Sequence, residues 1–596
     1  MRSFLTHFAI ELRRRLRTAW RFPRRLLARF VEQDDLYSML ILSGLIGFGA
    51  ALVTVAFRES IHGVQWLLTR RTGGLVETAM ALPYWARIVV PAVGGLIAGG
   101  ILRALNGRRR GVRPTDYMEA VAVGDGTLDA RTSIVRSAAS VVTIASGGSI
   151  GREGAMVQLS AIVGSRLGVD LLLSKPRRRL AVACGAAAGM AAAYNAPIAG
   201  SLFVAEIVLG SIAMESFGPM IVASVVSSVT IHSFLGYAPV FQIPALTFRS
   251  NWELIAYGIV GLAVGLLAPA FLELLRQAET LLHRWTWPAP VRLALGGLVV
   301  GVISVWFPGV WGNGYSEVTR ILHGDVLGLA LLAILAAKIL ATAATVGSGA
   351  VGGIFTPTLF VGAAGGALIG GIVHALFPHS GIEPASYALV GMGALLAATT
   401  HAPLTAILMI FEMTLDYRIT LPLMLASVIA HYVAKIYRQG SSVYAHALRE
   451  RVDLAGPFGD AENVSALIRH TSAGARRRGN QLQLEGSAQS GRQSHLWVVD
   501  SEDRLVGHIP SRSLRTSSIG KAHLLTVDDV ESVAHVLTPE TRIGHALAQF
   551  LDSRAEVLPV VRSAEDRRFL GTISRHDLLL VVQDQLATET QKKKRR

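Results

Sequence analysis

Long stretches without a charged residue constrain this chain more than any other feature of its sequence. They cover residues 36–57, 180–205, 216–248, 293–316, 339–382 and 384–411. Several exceed the roughly 20 residues that a helix needs to cross the hydrocarbon core of a bilayer. Only 16% of the residues are charged, against about 25% in a typical soluble protein. One such run could be a buried helix of a soluble protein, but so many in succession predict an all-α, multi-spanning membrane domain.

Basic residues are clustered, and the formal net charge is +16. The clusters lie at 13–29, at 108–113, at 175–179 and at the C-terminal 592–596. Nucleic-acid binding would be one explanation, but lysine and arginine also accumulate on the cytoplasmic loops of membrane proteins. The second explanation accounts better for clusters that flank apolar runs. We therefore expect no nucleic-acid partner, both termini in the cytoplasm, and a first apolar run that is retained as an anchor.

Composition divides the chain into four parts. Residues 1–34 are predicted to form a basic cytoplasmic arm, and residues 35–450 the membrane domain. Charge returns at about residue 451, where short β-type runs alternate with helical ones, so residues 451–586 are predicted to form a cytoplasmic α/β region. Residues 587–596 form a basic tail. The single cysteine, Cys184, excludes an intrachain disulfide.

The membrane domain contains a weak internal repeat. Residues 182–197 match residues 388–403, including a shared Ala-Pro pair, and at the same offset Glu206 lies over Glu412. Residues 151–155 match residues 353–357 at a similar offset. Two related halves with interrupted helices are typical of secondary transporters, whose substrate site lies at the interface of the repeats.

The two copies of the shorter motif contain the candidate functional residues of the membrane domain. Gly151, Arg152, Glu153 and Gly154 place two charges in an apolar stretch, where charged residues usually serve a function. A purely structural Arg–Glu pair is the alternative. Glycines can expose N–H groups at a helix start, which attracts an anion, and a carboxylate there can occupy the anion's own place until it is protonated or displaced.

The second copy offers Gly353, Ile354 and Phe355 before Pro357, and proline suits the first turn of a helix. The N–H groups of Ile354 and Phe355 are predicted to face the first helix start across the repeat interface. Two positive helix ends then make an anion site that binds weakly enough to release the ion.

These motifs resemble those of the CLC family of chloride channels and chloride/proton exchangers. Residues 151–154 resemble the family's motif with the external gating glutamate, and residues 353–357 resemble its Gly-x-Phe-x-Pro motif. Tyr444 resembles the tyrosine whose hydroxyl contacts the central anion. The resemblance implies two inverted halves with re-entrant helices, a homodimer with one chloride pathway per subunit, Glu153 as the gate, and chloride coordination by Ile354, Phe355 and Tyr444.

This sequence departs from the family pattern at two places. The first anion motif carries a coordinating serine in the family, but residues 111–119 contain none, and Thr115 is the nearest hydroxyl. This variant resembles the bacterial ClcB-type branch, which implies the inner membrane of a bacterium. Exchangers also carry an inner glutamate that Ile207 replaces here, so Glu206 is left as the candidate proton relay.

The C-terminal region contains a second repeat. Residues 495–514 parallel residues 557–578, with Gly507 and Gly571 at matching positions. Each copy has the order strand, turn, strand, helix and resembles a CBS module, so a tandem CBS pair is predicted. Such pairs often bind an adenine nucleotide, and Ser574 with Asp577 occupy the positions that contact the ribose. A nucleotide-free role in dimer contacts is the alternative.

Three functions remain open from the sequence. Passive chloride conductance is favoured by Ile207, and chloride/proton antiport by Glu153. A CBS-regulated divalent-cation transporter would need several acidic residues within the membrane, but the runs 216–248 and 339–382 contain none. No metal motif or catalytic triad is recognisable, so no metal site and no enzymatic activity are predicted.

Overall fold

The chain forms two compact units, Met1–Ala445 and His446–Arg596. The computed structural model describes residues 36–108, 116–122, 124–209, 214–236, 240–241, 243, 253–284, 287–376 and 384–437 of the first unit. In the second unit it describes residues 475–478, 481–484, 495–510, most of 530–574, and 578. The predicted basic arm and basic tail lie outside these ranges.

The described part of the first unit is helical throughout. Its helices are α1 Leu36–Thr69, α2 Leu75–Ala81, α3 Tyr84–Arg108, α4 Tyr117–Ala122, α5 Ala130–Ala145, α6 Glu153–Asp170, α7 Lys175–Tyr194, α8 Pro197–Phe203, α9 Met214–Leu235, α10 Glu253–His283, α11 Ala289–Trp306, α12 Tyr315–Leu322, α13 Gly328–Gly347, α14 Phe355–Leu376, α15 Pro384–Thr400, α16 Pro403–Thr414 and α17 Thr420–Tyr437. A π-helical turn, Val204–Leu209, extends α8. Eight of the described helices are long and apolar enough to cross a membrane.

The predicted repeat is visible where helices end and restart. Asn195 directly follows α7 and His401 directly follows α15, with φ of 57° and 56°. Asparagine and histidine adopt this left-handed conformation more often than most other residues. They stand at matching places of the two halves. In both copies Ala-Pro follows, and the proline lies in the first turn of the next short helix. The chain thus breaks twice in the same way, which explains the longer sequence match.

Matching helices of the two halves also pack against each other. Helices α3 and α11 lie in close contact, with small residues on both sides. A Cβ atom on Gly99 of α3 would lie 2.5 Å from the Cα atom of Pro290, and one on Gly301 of α11 would lie 2.7 Å from the Cα atom of Ile88. Membrane helices approach this closely only where side chains are small.

Among its described residues, the second unit contains three antiparallel strand pairs, and two of them, at residues 495–510 and 557–574, are hairpins of the same design. Its described elements are β1 Ala475–Arg478, β2 Gln481–Leu484, β3 His495–Val499, β4 Leu505–Pro510, α18 Ile543–Ser553, β5 Val557–Val561 and β6 Phe569–Ser574. The sheet order is β2-β1-β3-β4, and β5 pairs with β6. Gly507 pairs with Val498 and Gly571 with Val560, and in both hairpins the register shifts at the next residue.

The two hairpins join each other edge to edge. Leu505 donates its N–H to the carbonyl of Arg567 at 2.8 Å, and Phe569 donates to the carbonyl of Asp503 at 2.9 Å. Trp497 and Phe569 pack across this junction, with ring centroids 6.4 Å apart. The sequence repeat of this unit therefore corresponds to two structural copies that face each other.

Candidate anion site

The two short motifs predicted to form an anion site meet directly. Gly151 donates its N–H to the carbonyl of Gly353 at 2.7 Å, and Gly353 donates to the carbonyl of Gly151 at 2.9 Å. This isolated antiparallel bridge joins the two halves. Before it, the chain turns at Gly147 and Gly349, whose φ values of +98° and +89° suit glycine. The same turn in each half therefore delivers both motifs to one place.

Each motif opens a helix at the bridge. Helix α6 begins at Glu153 and α14 begins at Phe355, two residues beyond the bridged glycines. A helix start carries partial positive charge on its unpaired N–H groups. Two such starts side by side, without a cationic side chain between them, can hold an anion and release it.

Glu153 lies buried between these helix starts, with 2% of its surface exposed. Its Oε1 atom accepts a hydrogen bond from the hydroxyl of Thr356. Its Oε2 atom lies beside Gly353, where a Cβ atom would come within 3.0 Å of it. The carboxylate thus lies beside the bridged glycines at the starts of α6 and α14.

Arg152 does not pair with this carboxylate. It is the N-cap residue of α6, and its guanidinium carbon lies 5.5 Å from the ring centroid of Tyr315. Arg58 of α1 also interacts electrostatically with Arg152 and with Tyr315. The geometry therefore separates the two charges of the first motif: Glu153 points into the site, and Arg152 contacts an aromatic ring beside it.

Aromatic side chains form one wall of the site. Phe355 is 3% exposed, and its ring centroid lies 5.0 Å from that of Tyr194 and 6.4 Å from that of Phe203. The ring edges of such a cluster carry partial positive charge, which is compatible with a passing anion. Ile354 is only partly buried against the same core.

Glu206 and its repeat partner Glu412 cap helices of the opposite half. Glu206 accepts hydrogen bonds from the N–H of Leu404 at 3.3 Å, and from the N–H and hydroxyl of Thr405 at 2.8 and 2.7 Å. Glu412 accepts hydrogen bonds from the N–H of Ile198 at 3.0 Å and of Ala199 at 2.8 Å. Glu206 thus binds the start of α16 and Glu412 the start of α8, and a proton-relay role for Glu206 stays a prediction.

Lys338 is a buried cation that sequence reasoning passed over. It has no exposed surface, donates hydrogen bonds to the carbonyls of Val310 at 3.1 Å and Gly312 at 2.9 Å, and lies 5.2 Å from the centre of the Phe360 ring. The sequence did not single it out, because a lysine directly before the uncharged run 339–382 looks like the ordinary charged end of an apolar segment. Its contacts hold the loop that precedes Tyr315, the residue under Arg152.

Some predicted site residues lie outside the described residues, namely Tyr444, Thr115 and Asp577. Ser574 is the last residue of β6. Two residues of the site were not predicted, Thr356 and Tyr194. Thr356 follows Phe355 and Tyr194 precedes Asn195, so both belong to the repeated motifs. The sequence does not show that their hydroxyl groups meet near Glu153.

Comparison with known proteins agrees with this geometry. Residues 94–435 match the family described as voltage gated chloride channel, and residues 527–584 match the CBS domain. The chain therefore belongs to the CLC family of voltage-gated chloride channels and carries a C-terminal CBS domain. The predicted family and fold class, a helical membrane domain followed by a CBS region, are confirmed.

Individual relatives show which members of the family the chain is similar to. It is 53% identical over 421 residues to the ClcB-like protein of Ralstonia nicotianae, covering 70% of this chain and 97% of the relative. It is 41% identical over 417 residues to the voltage-gated ClC-type chloride channel ClcB of Salmonella dublin, covering 69% and 99%. The resemblance to ClcB-type proteins is therefore confirmed as well.

Solved structures share the fold at low sequence identity. A slow cyanobacterial Cl⁻/H⁺ antiporter superposes with a TM-score of 0.62 at 22% identity, covering 70% of this chain and 98% of that one. A eukaryotic CLC transporter gives a TM-score of 0.60 at 17% identity and covers 90% of this chain and 97% of that one. The second alignment thus extends beyond the membrane domain.

Proposed function

We propose that this protein conducts chloride passively across a bacterial inner membrane, with Glu153 as the gate. The observation that carries this proposal is the placement of the Glu153 carboxylate between the starts of α6 and α14, which the bridge between Gly151 and Gly353 holds together. A chloride ion that replaced the carboxylate would meet N–H groups of both helices, including those of Ile354 and Phe355. Protonation of Glu153, or competition by chloride, would open this position.

Chloride/proton antiport is the second candidate. Ile207 stands where exchangers of the family carry an inner acid, and Glu206 already accepts three hydrogen bonds from α16. Both observations favour passive conductance over coupled exchange. The cyanobacterial structure with the same fold is an antiporter, which keeps exchange as an outcome of the experiment below.

The decisive experiment uses the purified full-length protein in liposomes with an imposed chloride gradient. Chloride efflux and external pH are recorded together, and magnesium efflux is recorded from a matched preparation loaded with magnesium. We expect chloride efflux without uphill proton movement, and in Glu153→Gln we expect efflux that no longer varies with pH, because the amide mimics a permanently protonated gate. Uphill proton movement would establish the antiporter, and efflux of magnesium but not of chloride would establish the divalent-cation transporter.

We further propose that the protein is a homodimer with one chloride pathway per subunit and with both termini in the cytoplasm. The family resemblance and the basic clusters support this arrangement. The two matching hairpins of the second unit support a tandem CBS pair rather than a single module. An adenine nucleotide bound at Ser574 and Asp577, and a nucleotide-free role of this pair in dimer contacts, are the two proposals for its purpose.

A further inference from the structure

The donor and acceptor roles in the hydrogen bonds around the Glu153 carboxylate can be assigned. The Thr356 hydroxyl donates to Glu153, and a hydroxyl has a single proton to donate. The Tyr194 hydroxyl lies 3.1 Å from the same Thr356 oxygen, so Tyr194 must be the donor in that contact. The order is therefore Tyr194 to Thr356 to Glu153, and it ends on the charged form of the carboxylate.

Both hydroxyls are fixed in place by their surroundings. Thr356 and Tyr194 have no exposed surface, so each hydroxyl depends on partners within the protein. Thr356 lies in the first turn of α14, and Tyr194 is the last residue of α7, with its ring packed against Phe355. The two hydroxyls thus link α7 and α14 to the carboxylate at the start of α6.

We propose that Thr356 and Tyr194 form a hydroxyl relay that positions the Glu153 carboxylate in the closed gate and sets the pH at which the gate opens. The proposal rests on the proposed function, since it takes Glu153 as the gate. Hydrogen bonds to the charged form of an acid favour that form. The relay therefore keeps the gate closed to lower pH than burial in an apolar wall alone would.

Other charged and titratable groups face the same carboxylate and belong to the same balance. Arg152 on its own helix and Tyr194 on α7 interact with Glu153. Tyr315 on α12 interacts with both Arg152 and Glu153, and Arg58 on α1 interacts with Arg152. Substitutions at Thr356 change none of these charges, which makes this residue the cleanest place to test the relay.

The first test removes the Thr356 hydroxyl without changing side-chain shape. In Thr356→Val, the midpoint of the pH dependence of chloride efflux is expected to move up by about one pH unit, because the charged carboxylate has lost a donor. Thr356→Ser keeps a hydroxyl and should restore the wild-type midpoint. Thr358→Val is the matched control, because the Thr358 hydroxyl lies on the same helix but donates to the carbonyl of Ile354.

The second test asks whether Tyr194 acts through Thr356. Tyr194→Phe should shift the midpoint in the same direction by a smaller amount, whereas Tyr387→Phe, an equally buried tyrosine of α15, should not. In the Thr356→Val background, Tyr194→Phe should shift the midpoint by less than it does in the wild type, since the path through Thr356 is gone and only the direct interaction of Tyr194 with Glu153 remains. Additive shifts in the double variant would overturn the relay in favour of two independent contacts.

A readout without transport separates this proposal from the proposed function. The infrared carbonyl band of protonated Glu153, assigned by its loss in Glu153→Gln, gives the same midpoint in protein that is not moving ions. A shifted band in Thr356→Val supports the relay even if no chloride efflux is found. Superimposable titrations of wild type and Thr356→Val overturn the relay even if the protein proves to be a chloride channel.

Discussion

Removal of the Glu412 carboxylate should loosen the contact between the two halves of the membrane domain. Glu412 is 9% exposed and accepts the N–H groups of Ile198 at 3.0 Å and Ala199 at 2.8 Å in the first turn of α8. In Glu412→Ala these donors lose the acceptor that Glu412 provides from the other half. A hydrogen bond to a charged group contributes about 1.5–3 kcal/mol, and Ile198 is partly accessible to solvent. The expected loss in the free energy of unfolding is therefore about 3 kcal/mol.

Thermal unfolding of the protein in detergent, followed by tryptophan fluorescence, measures this effect. Glu412→Ala should lower the apparent Tm by roughly 5 °C, and Glu412→Gln, which keeps one carbonyl acceptor, should fall between the two. Glu273→Ala is the matched control, because Glu273 forms an exposed ion pair with Arg276 and such pairs contribute little. An unchanged Tm in Glu412→Ala, or an equal loss in Glu273→Ala, would refute the capping argument.

Two further substitutions test the packing around the site. Lys338→Met leaves two buried carbonyls without a donor and should cost about 3 kcal/mol; an apparent Tm equal to that of wild type would contradict this. Gly391→Val places a side chain where a Cβ atom would already lie 2.8 Å from the Cα atom of Gly366, so size-exclusion chromatography should show loss of monodisperse protein. Gly371→Val, with open space around it, should elute like wild type, and a normal profile for Gly391→Val would disprove the close-packing account.

The sequence predicted the fold because its strongest signals are local. Uncharged runs indicated a domain of membrane-crossing helices, although not how many there are, and the repeated Ala-Pro and glycine motifs marked places where helices break. The bridge between Gly151 and Gly353 follows from the repeat, since matching segments of two related halves meet near their common axis. What the sequence could not supply were the pairings of side chains across that axis.

Glu206 illustrates the limit most clearly. It became the candidate proton relay because the family resemblance places Ile207 where exchangers carry the inner glutamate and leaves Glu206 as the acid beside it. The structure gives the carboxylate three hydrogen bonds from residues nearly two hundred positions away along the chain. No local pattern reports such a partner. The hydroxyl chain from Tyr194 through Thr356 is hidden for the same reason, since its members come from different helices.

The three glutamates of the membrane domain that lie near helix starts differ in their hydrogen-bond partners, and this difference bears on our proposal that Glu153 is the gate. All three approach the start of a helix, where a carboxylate is favourable. Glu412 and Glu206 each accept backbone N–H groups of the opposite half through both oxygens, so departure of either carboxylate would leave several donors unpaired. The described partners of the Glu153 carboxylate are side-chain hydroxyls, Thr356 foremost, and its Oε2 atom has no hydrogen-bond partner among the described residues. Glu206 and Glu412 are thus each held by backbone donors of the opposite half, and this difference supports our proposal that Glu153 is the carboxylate that an anion replaces.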